Sequence, residues 1–420
     1  MESPPHKLNV GRDEDRISAL TDDLLLGILE RLDLRDAVRA GAVSTRWRHL
    51  PHRLSRVRLD VRQFRRATLV ETMDAFTGAL LSVFPPAEGN CECQRGYAIK
   101  ALRLSFYPLI HHLCYIGPAV QDVVSRGKTE CLEFWISLPS AEYTTRQLAD
   151  FGRQFMIFSG AYKVAFRWLT RLFLKGLAFL GADITDLISA CDKLKCLTLR
   201  SCRLVDRHSV LKIDTPCSGL QELQFIHFVC MRIELISVPK LSKVHCHLYS
   251  ENPLVRFGYV PELREVSLTC HAKAWQAPFM LSECLSRSAT NLSNVHLNFC
   301  HEMIWIQPEH PKQLTAIFRN LAAMFLSGIF PECDLSWTFF ILGSCTCPAE
   351  VYIISNTTMC QNARGQCRED QRCVGTIQGF QALQLEDTHN SRVRGGRKGD
   401  KLYKPSHGTS CGVKENRAAR

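Results

Sequence analysis

The sequence predicts a two-part fold of class α + α/β: a small N-terminal bundle of three short helices, followed by an irregular α/β solenoid. Two observations carry that expectation. Residues Asp15 to Leu50 compress an acidic first turn, a Leu/Ile-dense helix and a Ser-x-x-Trp ending into one short span. From about residue 99 onward, one phrase, Leu-x-x-Leu-x-Leu or a conservative variant, keeps returning. The bulk composition agrees, because 46% hydrophobic and 22% charged residues in a chain of 420 suit a folded protein with a large core.

The N-terminal segment reads as three helices in order. Thr21 caps a first helix whose opening turn carries Asp22 and Asp23, where the helix dipole favours negative charge. Leu25, Leu29 and Leu32 recur at i, i+4 and i+7, and Leu24 and Ile28 thicken the stripe. Asp33 offers a second cap ahead of Ala37 and Val38, and Ser44 a third ahead of Trp47. So short a segment carries more apolar surface than it can bury alone, as a module that docks a partner requires.

The pattern resembles the F-box, the module that joins a substrate receptor to a Skp-family adaptor in cullin-based ubiquitin ligases. Ile17, Ser18, Leu20, Leu24, Leu25, Ile28, Leu29, Leu32, Ala37, Val38, Val43, Ser44 and Trp47 fall in step with that family's pattern. Thr21 and Asp33 stand where the family has prolines, so two fixed φ angles are replaced by two capping residues. The resemblance implies that Ile17, Leu20, Leu24, Leu25, Ile28, Leu29, Leu32, Val43 and Trp47 serve adaptor binding.

The array follows. Phrases begin at Leu169, Leu194, Leu220, Leu241, Leu263, Leu292 and Leu321, with weaker copies at Ile99 and Cys131. Successive strong starts lie 25, 26, 21, 22, 29 and 29 residues apart, inside the leucine-rich-repeat range of about 20 to 29. The last two apolar positions of each phrase alternate as a strand does, and a repeat that cannot bury its own face must stack on its neighbours. The interval from 131 to 169 is longer and includes an expected helix from Arg146 to Phe158. A three-helix F-box ahead of leucine-rich repeats is the layout of plant-type F-box/leucine-rich-repeat proteins, and the run Ser327 to Leu342 resembles the closing segment of a plant subset.

The expected organisation is therefore a disordered N-terminus at 1–12, the F-box at 13–55, a linker at 56–98, the solenoid at 99–342 and an atypical Cys-containing, basic tail at 343–420. Between Glu386 and Arg420, nine Lys/Arg face four acids, which suits a solvated, disordered stretch. We read this end as one that replaces the family's last repeats.

Other chemistry finds little support. The N-terminus has no apolar h-region, and no apolar run reaches membrane-spanning length, so a place in the cytoplasm and/or nucleus is expected and a membrane partner is not. In such a compartment the 20 cysteines stay reduced, and Cys196, Cys202, Cys230, Cys246, Cys270 and Cys300 read as small buried hydrophobes. Cys345-x-Cys347 with Cys360, Cys367 and Cys373 lacks zinc-ligand spacing, and His111-His112 and His245-x-His247 read as structural. No cofactor, metal or catalytic motif is visible, and Cys191 and Cys196 lack an activating basic pattern. The net charge of +11 is spread out and unaccompanied by any nucleic-acid-binding motif. The resemblance implies a non-enzymatic substrate-recognition subunit of an SCF ligase whose partners are a Skp-family adaptor, through it a cullin, and a protein substrate. The alternative is a leucine-rich-repeat interaction scaffold with a degenerate F-box.

Overall fold

A computed structural model describes residues 20–42, 44–84, 99–126, 128–139, 142–248, 255–270, 278–285, 288–301, 306–329, 335, 337–345 and 350–352, with the backbone of 353–355 and 373–377. The expected disordered start, Ile17, Val43, most of the tail and the basic run 392–398 lie outside these residues.

The three N-terminal elements are α1 (Asp22–Leu29), α2 (Leu34–Gly41) and a 3₁₀ turn Trp47–Arg53 that contains Pro51. Thr21 and Asp33 sit at the N-cap positions in extended backbone, but neither side chain bonds its own helix. The start of α1 is held by Asp22 instead, which accepts from Arg46 Nε and Nη2 at 3.0 and 2.8 Å and from Arg53 at 3.3 Å. Ser44 Oγ accepts the N–H of Trp47, the first residue of the turn, at 3.2 Å, although Arg46 and not Ser44 holds the N-cap position.

The expected linker at 56–98 is not a linker over its first half. Arg56–Asp60 is the first strand of the main sheet and pairs in parallel with Ala101–Phe106. The signal was present in the sequence, since Leu54-x-x-Val57-x-Leu59 is one more copy of the repeated phrase. Helix α3 (Leu69–Val83) follows and buries Met73, Phe76 and Leu80. Several polar contacts then tie the helical module to this first repeat. Glu30 accepts the N–H and hydroxyl of Ser55 at 3.0 and 2.6 Å, and Asp33 accepts Gln63 Nε2 at 2.6 Å. Arg35 donates to the Gln63 carbonyl and lies 5.9 Å from the Phe64 ring centroid.

Among the described residues, twelve strands form one open sheet. Its first eleven run parallel in chain order: Arg56–Asp60, Ala101–Phe106, Cys131–Ser137, Leu169–Lys175, Cys196–Arg200, Glu222–Phe228, Lys243–Leu248, Glu265–Cys270, Asn294–Asn298, Ala323–Ser327 and Glu350–Ser355. Cys373–Ile377 closes the edge antiparallel. The sheet therefore runs beyond the expected boundary at 342. The Leu-rich phrases set the inward face: Leu194, Leu197 and Leu199, or Leu220, Leu223 and Phe225, are each at most 1% exposed. These rows join one core that extends from Leu25 to Val351.

The element that returns the chain to the next strand differs along the array: the 25-residue interval from Leu169 uses a helix, Asp183–Ala190, and the three after it use strands. The intervals starting at 194, 220 and 241 return through Val210–Asp214, Arg232–Ser237 and Val255–Tyr259, which pair as a second parallel sheet. The longer intervals have room for helices, such as Ile110–Ser125, Thr145–Ala161 and Pro311–Phe318. A strand rises more than twice as far per residue as a helix, so a 21-residue repeat crosses the layer only in extended form.

The helix expected over Arg146 to Phe158 runs Thr145–Ala161, one residue earlier at its start and three longer at its end, and Thr144 and Gln147 fix its start in a reciprocal capping box. Its Gly152 lies against the chain beyond the next strand, where a Cβ would come 1.9 Å from the Ala178 carbonyl oxygen. Gly152→Ala is therefore expected to cost about 1–3 kcal/mol, since backbone on both sides must move. Gly160→Ala on the same helix meets no atom within 4 Å, and should be neutral or stabilising by up to about 1 kcal/mol. Thermal melts that fail to separate the two variants would refute this packing.

Candidate functional site

Two surfaces qualify: one side of the N-terminal module and the open face of the main sheet. On the module, α1 carries two parallel columns of large apolar side chains, each at i, i+4 spacing. Leu25 and Leu29 are 0% exposed and belong to the core. Leu24, Ile28 and Leu32 are 57%, 43% and 38% exposed. The expectation that Leu25 and Leu29 contact an adaptor is corrected accordingly: they support the helix from below, and their neighbours one position earlier present the apolar surface. Leu20 and Trp47 are half-buried against the core. Ile17 and Val43 lie outside the described residues. Val38, half exposed on α2, adds an apolar side chain that the expected site set omitted.

The open face of the sheet is laid out in rows by the parallel register. One row runs Arg58, Arg103, Glu133, Arg171, Cys196, Glu222, Lys243, Glu265, Asn294, Ala323 and Glu350. The next runs Asp60, Ser105, Trp135, Phe173, Thr198, Gln224, His245, Ser267, His296, Phe325 and Tyr352. Two aromatic stacks stand in this second row. Trp135 and Phe173 pack at 4.7 Å between centroids, with the Arg103 guanidinium 5.1 Å from the indole. His296, Phe325 and Tyr352 stack at 4.3 and 4.8 Å.

Glu133 organises the first stack. It accepts from Arg103 Nε at 2.5 Å and Trp135 Nε1 at 3.3 Å, and lies 3.9 Å from Arg171. Burial acts to raise its pKa, but the hydrogen bond and charge of Arg103, joined by the Trp135 and Cys131 hydrogen bonds, outweigh that and hold it below the usual carboxylate value. A depressed folded-state pKa contributes stability that is present above the unfolded value and lost as pH falls through the folded one. Acidification below about pH 4 is thus expected to lower the unfolding midpoint, and Glu133→Gln to flatten that dependence. Superimposable pH profiles for the two proteins would count against the charge pairing.

Several of the histidines and cysteines singled out in the sequence are packed into the fold. His112 is buried and its Nε2 meets Asp74 Oδ1 at 2.9 Å, joining Ile110–Ser125 to α3. His245 Nδ1 meets Ser267 Oγ at 3.0 Å, and burial lowers the pKa of both His245 and His296. Burial pushes the thiols of Cys191 and Cys202 up to about 12 and that of Cys196 to about 11. Such thiols are poor nucleophiles at neutral pH. Cys300, expected to be buried, is only partly so. Among the described residues, no group of three or more His, Cys, Asp or Glu could hold a metal. No helix among them is long and apolar enough to cross a membrane.

Comparison with known proteins bears on both surfaces. Residues 17–58 match the F-box domain family. The chain is also 27% identical over 207 residues to an F-box/FBD/LRR-repeat protein of Arabidopsis thaliana, a match covering 47% of this chain and 42% of that relative. The matched part is thus less than half the relative's length. The N-terminal module is an F-box, followed by a strand-rich α/β region, and the resemblance to plant F-box/leucine-rich-repeat proteins holds.

Proposed function

We propose that this chain is the substrate-recruiting subunit of an SCF-type ubiquitin ligase. The F-box docks a Skp-family adaptor, and through it a cullin, by way of Leu24, Ile28 and Leu32, with Leu20 and Trp47 at the margin. The parallel array is a leucine-rich-repeat solenoid beginning at Leu54, and its open face takes the protein to be ubiquitinated. The chain itself supplies proximity rather than bond chemistry: it holds a substrate lysine near a charged conjugating enzyme. This work belongs to the cytoplasm or nucleus.

The observation that carries the reading is the exposure of Leu24, Ile28 and Leu32 beside the fully buried Leu25 and Leu29. A short helix that has already filled its own core side has no internal use for a second apolar column, whereas a helix-in-groove partner does. The ties between Glu30 and Ser55 and between Asp33 and Gln63 also support it, because they fix the docking helix relative to the first repeat. The test is co-purification of the full chain with a Skp-family adaptor and a cullin. A chain that retains neither would favour an interaction scaffold with a degenerate F-box.

A further inference from the structure

We propose that the N-terminal half of the open face is a receptor site for an extended acidic peptide segment in which one aromatic or large aliphatic side chain stands among carboxylates. The inference rests on reading that face as the substrate surface and adds the chemical class it selects. Four cations, Arg103, Arg171, Lys175 and Arg200, border the Trp135–Phe173 stack through the strand register. On the four strands from Ala101 to Arg200 that form this part of the main sheet, Glu133 is the one open-face carboxylate among the described residues. It is 8% exposed and already committed to Arg103, Arg171 and Trp135.

Lys175 and Arg200 supply the charge that would draw an anion. They are register partners on adjacent strands and both are exposed, with Glu142 sharing a depression with Lys175. Like charges directly opposite each other on a sheet repel, a cost that a bound carboxylate would remove. A depression of about 310 Å³ toward the first strand is lined by four cations, Arg56, Arg58, Lys100 and Arg103, against two carboxylates, Glu130 and Glu133. Farther along the same face the sign changes. Glu222, Glu265 and Glu350 occupy the row, and Lys243 is neutralised by Glu265 at 3.0 Å. An acidic segment is therefore drawn to one half of the face only.

The aromatic geometry favours a peptide over a nucleic acid. Trp135 has one ring face against Phe173 and the Arg103 guanidinium over its ring system, so its exposed surface is ring edge. Sequence-tolerant binding of single strands needs open ring faces on which bases stack. Ring edges and the exposed part of Phe173 accept a hydrocarbon side chain instead, while the surrounding cations take the flanking carboxylates.

The test uses the full chain purified with its adaptor and fluorescence anisotropy. The probe is a labelled peptide of about twelve residues, rich in Glu and Asp around one Phe. Its comparators are the Gln/Asn counterpart and a single-stranded oligonucleotide of equal charge. The acidic peptide is expected to bind, to weaken with salt, and to lose roughly tenfold or more in affinity with Lys175→Glu plus Arg200→Glu. Trp135→Ala should also weaken it, whereas Lys212→Glu, an exposed change on the second sheet, should not. Unchanged melting temperatures would exclude misfolding as the cause. Equal binding of the neutral peptide, stronger binding of the oligonucleotide, or an equal loss with Lys212→Glu would overturn the proposal. Adaptor retention in the same samples separates the two readings. Retained adaptor without peptide binding refutes only the acidic site, and peptide binding without adaptor refutes only the docking role.

Discussion

Leu24→Asp combined with Ile28→Asp is expected to abolish adaptor capture while leaving the unfolding transition of the chain almost unmoved. Both side chains are about half exposed, so in the free chain the change places charge in water and removes little packing. At a docked interface the same positions would sit in a desolvated apolar groove. There, loss of one anchor commonly costs about 2 kcal/mol or more, roughly thirtyfold in affinity, and a buried unpaired carboxylate adds to that. Leu25→Asp with Leu29→Asp should also lose the adaptor, but for another reason. Those side chains are 0% exposed, and even Leu→Ala at such sites costs about 2–5 kcal/mol. The readouts differ accordingly: for the outer pair binding disappears and the melt persists, while for the inner pair the module unfolds. Adaptor binding that survives Leu24→Asp/Ile28→Asp would remove the docking surface from consideration.

This contrast also marks how far the sequence could be read. The presence of a docking module was legible, because capping residues, a Leu-rich helix and the Ser-x-x-Trp ending occur in order. Which of its leucines face outward was not. Columns 24/28 and 25/29 have identical spacing and lie only about 100° apart around the helix, so hydrophobicity alone cannot assign the inner one. Thr21 and Asp33 are good capping residues by type. Asp33 instead spends its carboxylate on Gln63, a residue 30 positions away that no local pattern could nominate. The array was legible as a periodicity, and the buried triplets fall where the phrases put them. Its two ends were missed for different reasons. The first strand carries a full phrase at Leu54, but that phrase follows the F-box so closely that it does not stand out as the start of the array. The late strand Glu350–Ser355 has Pro348 where the first leucine of the phrase would stand, so half of its signal is gone. The open face was illegible in principle. Its meaning lies in which residues become neighbours across strands far apart in the chain, and Trp135 beside Phe173 or Lys175 beside Arg200 follows only once the register is known.

Phe134→Ala is expected to be the most destabilising single truncation in the early repeats, and to separate the core from the face that lies above it. The Phe134 ring is fully buried and sits 5.5 Å from Phe106, 6.2 Å from Phe158 and 5.7 Å from Phe166, so it joins two neighbouring strands' inward rows to the helices behind them. Removing a ring from such a cluster leaves a cavity that three aromatic neighbours cannot fill together, at a cost of about 3–5 kcal/mol. Trp135, the next residue, points to the opposite face and is 36% exposed. Trp135→Ala should therefore cost far less in stability, on the order of 1 kcal/mol, while weakening acidic-peptide binding. In a stacked array each repeat is held chiefly by its neighbours. Loss of the Phe134 contacts should accordingly loosen the strands around it first, seen as faster amide exchange over residues 101–106 and 131–137 than over 294–298 and 323–327. If Phe134→Ala and Trp135→Ala lowered the melting temperature equally, or if exchange rose uniformly along the sheet, the two faces would not be the independent layers that the burial pattern describes.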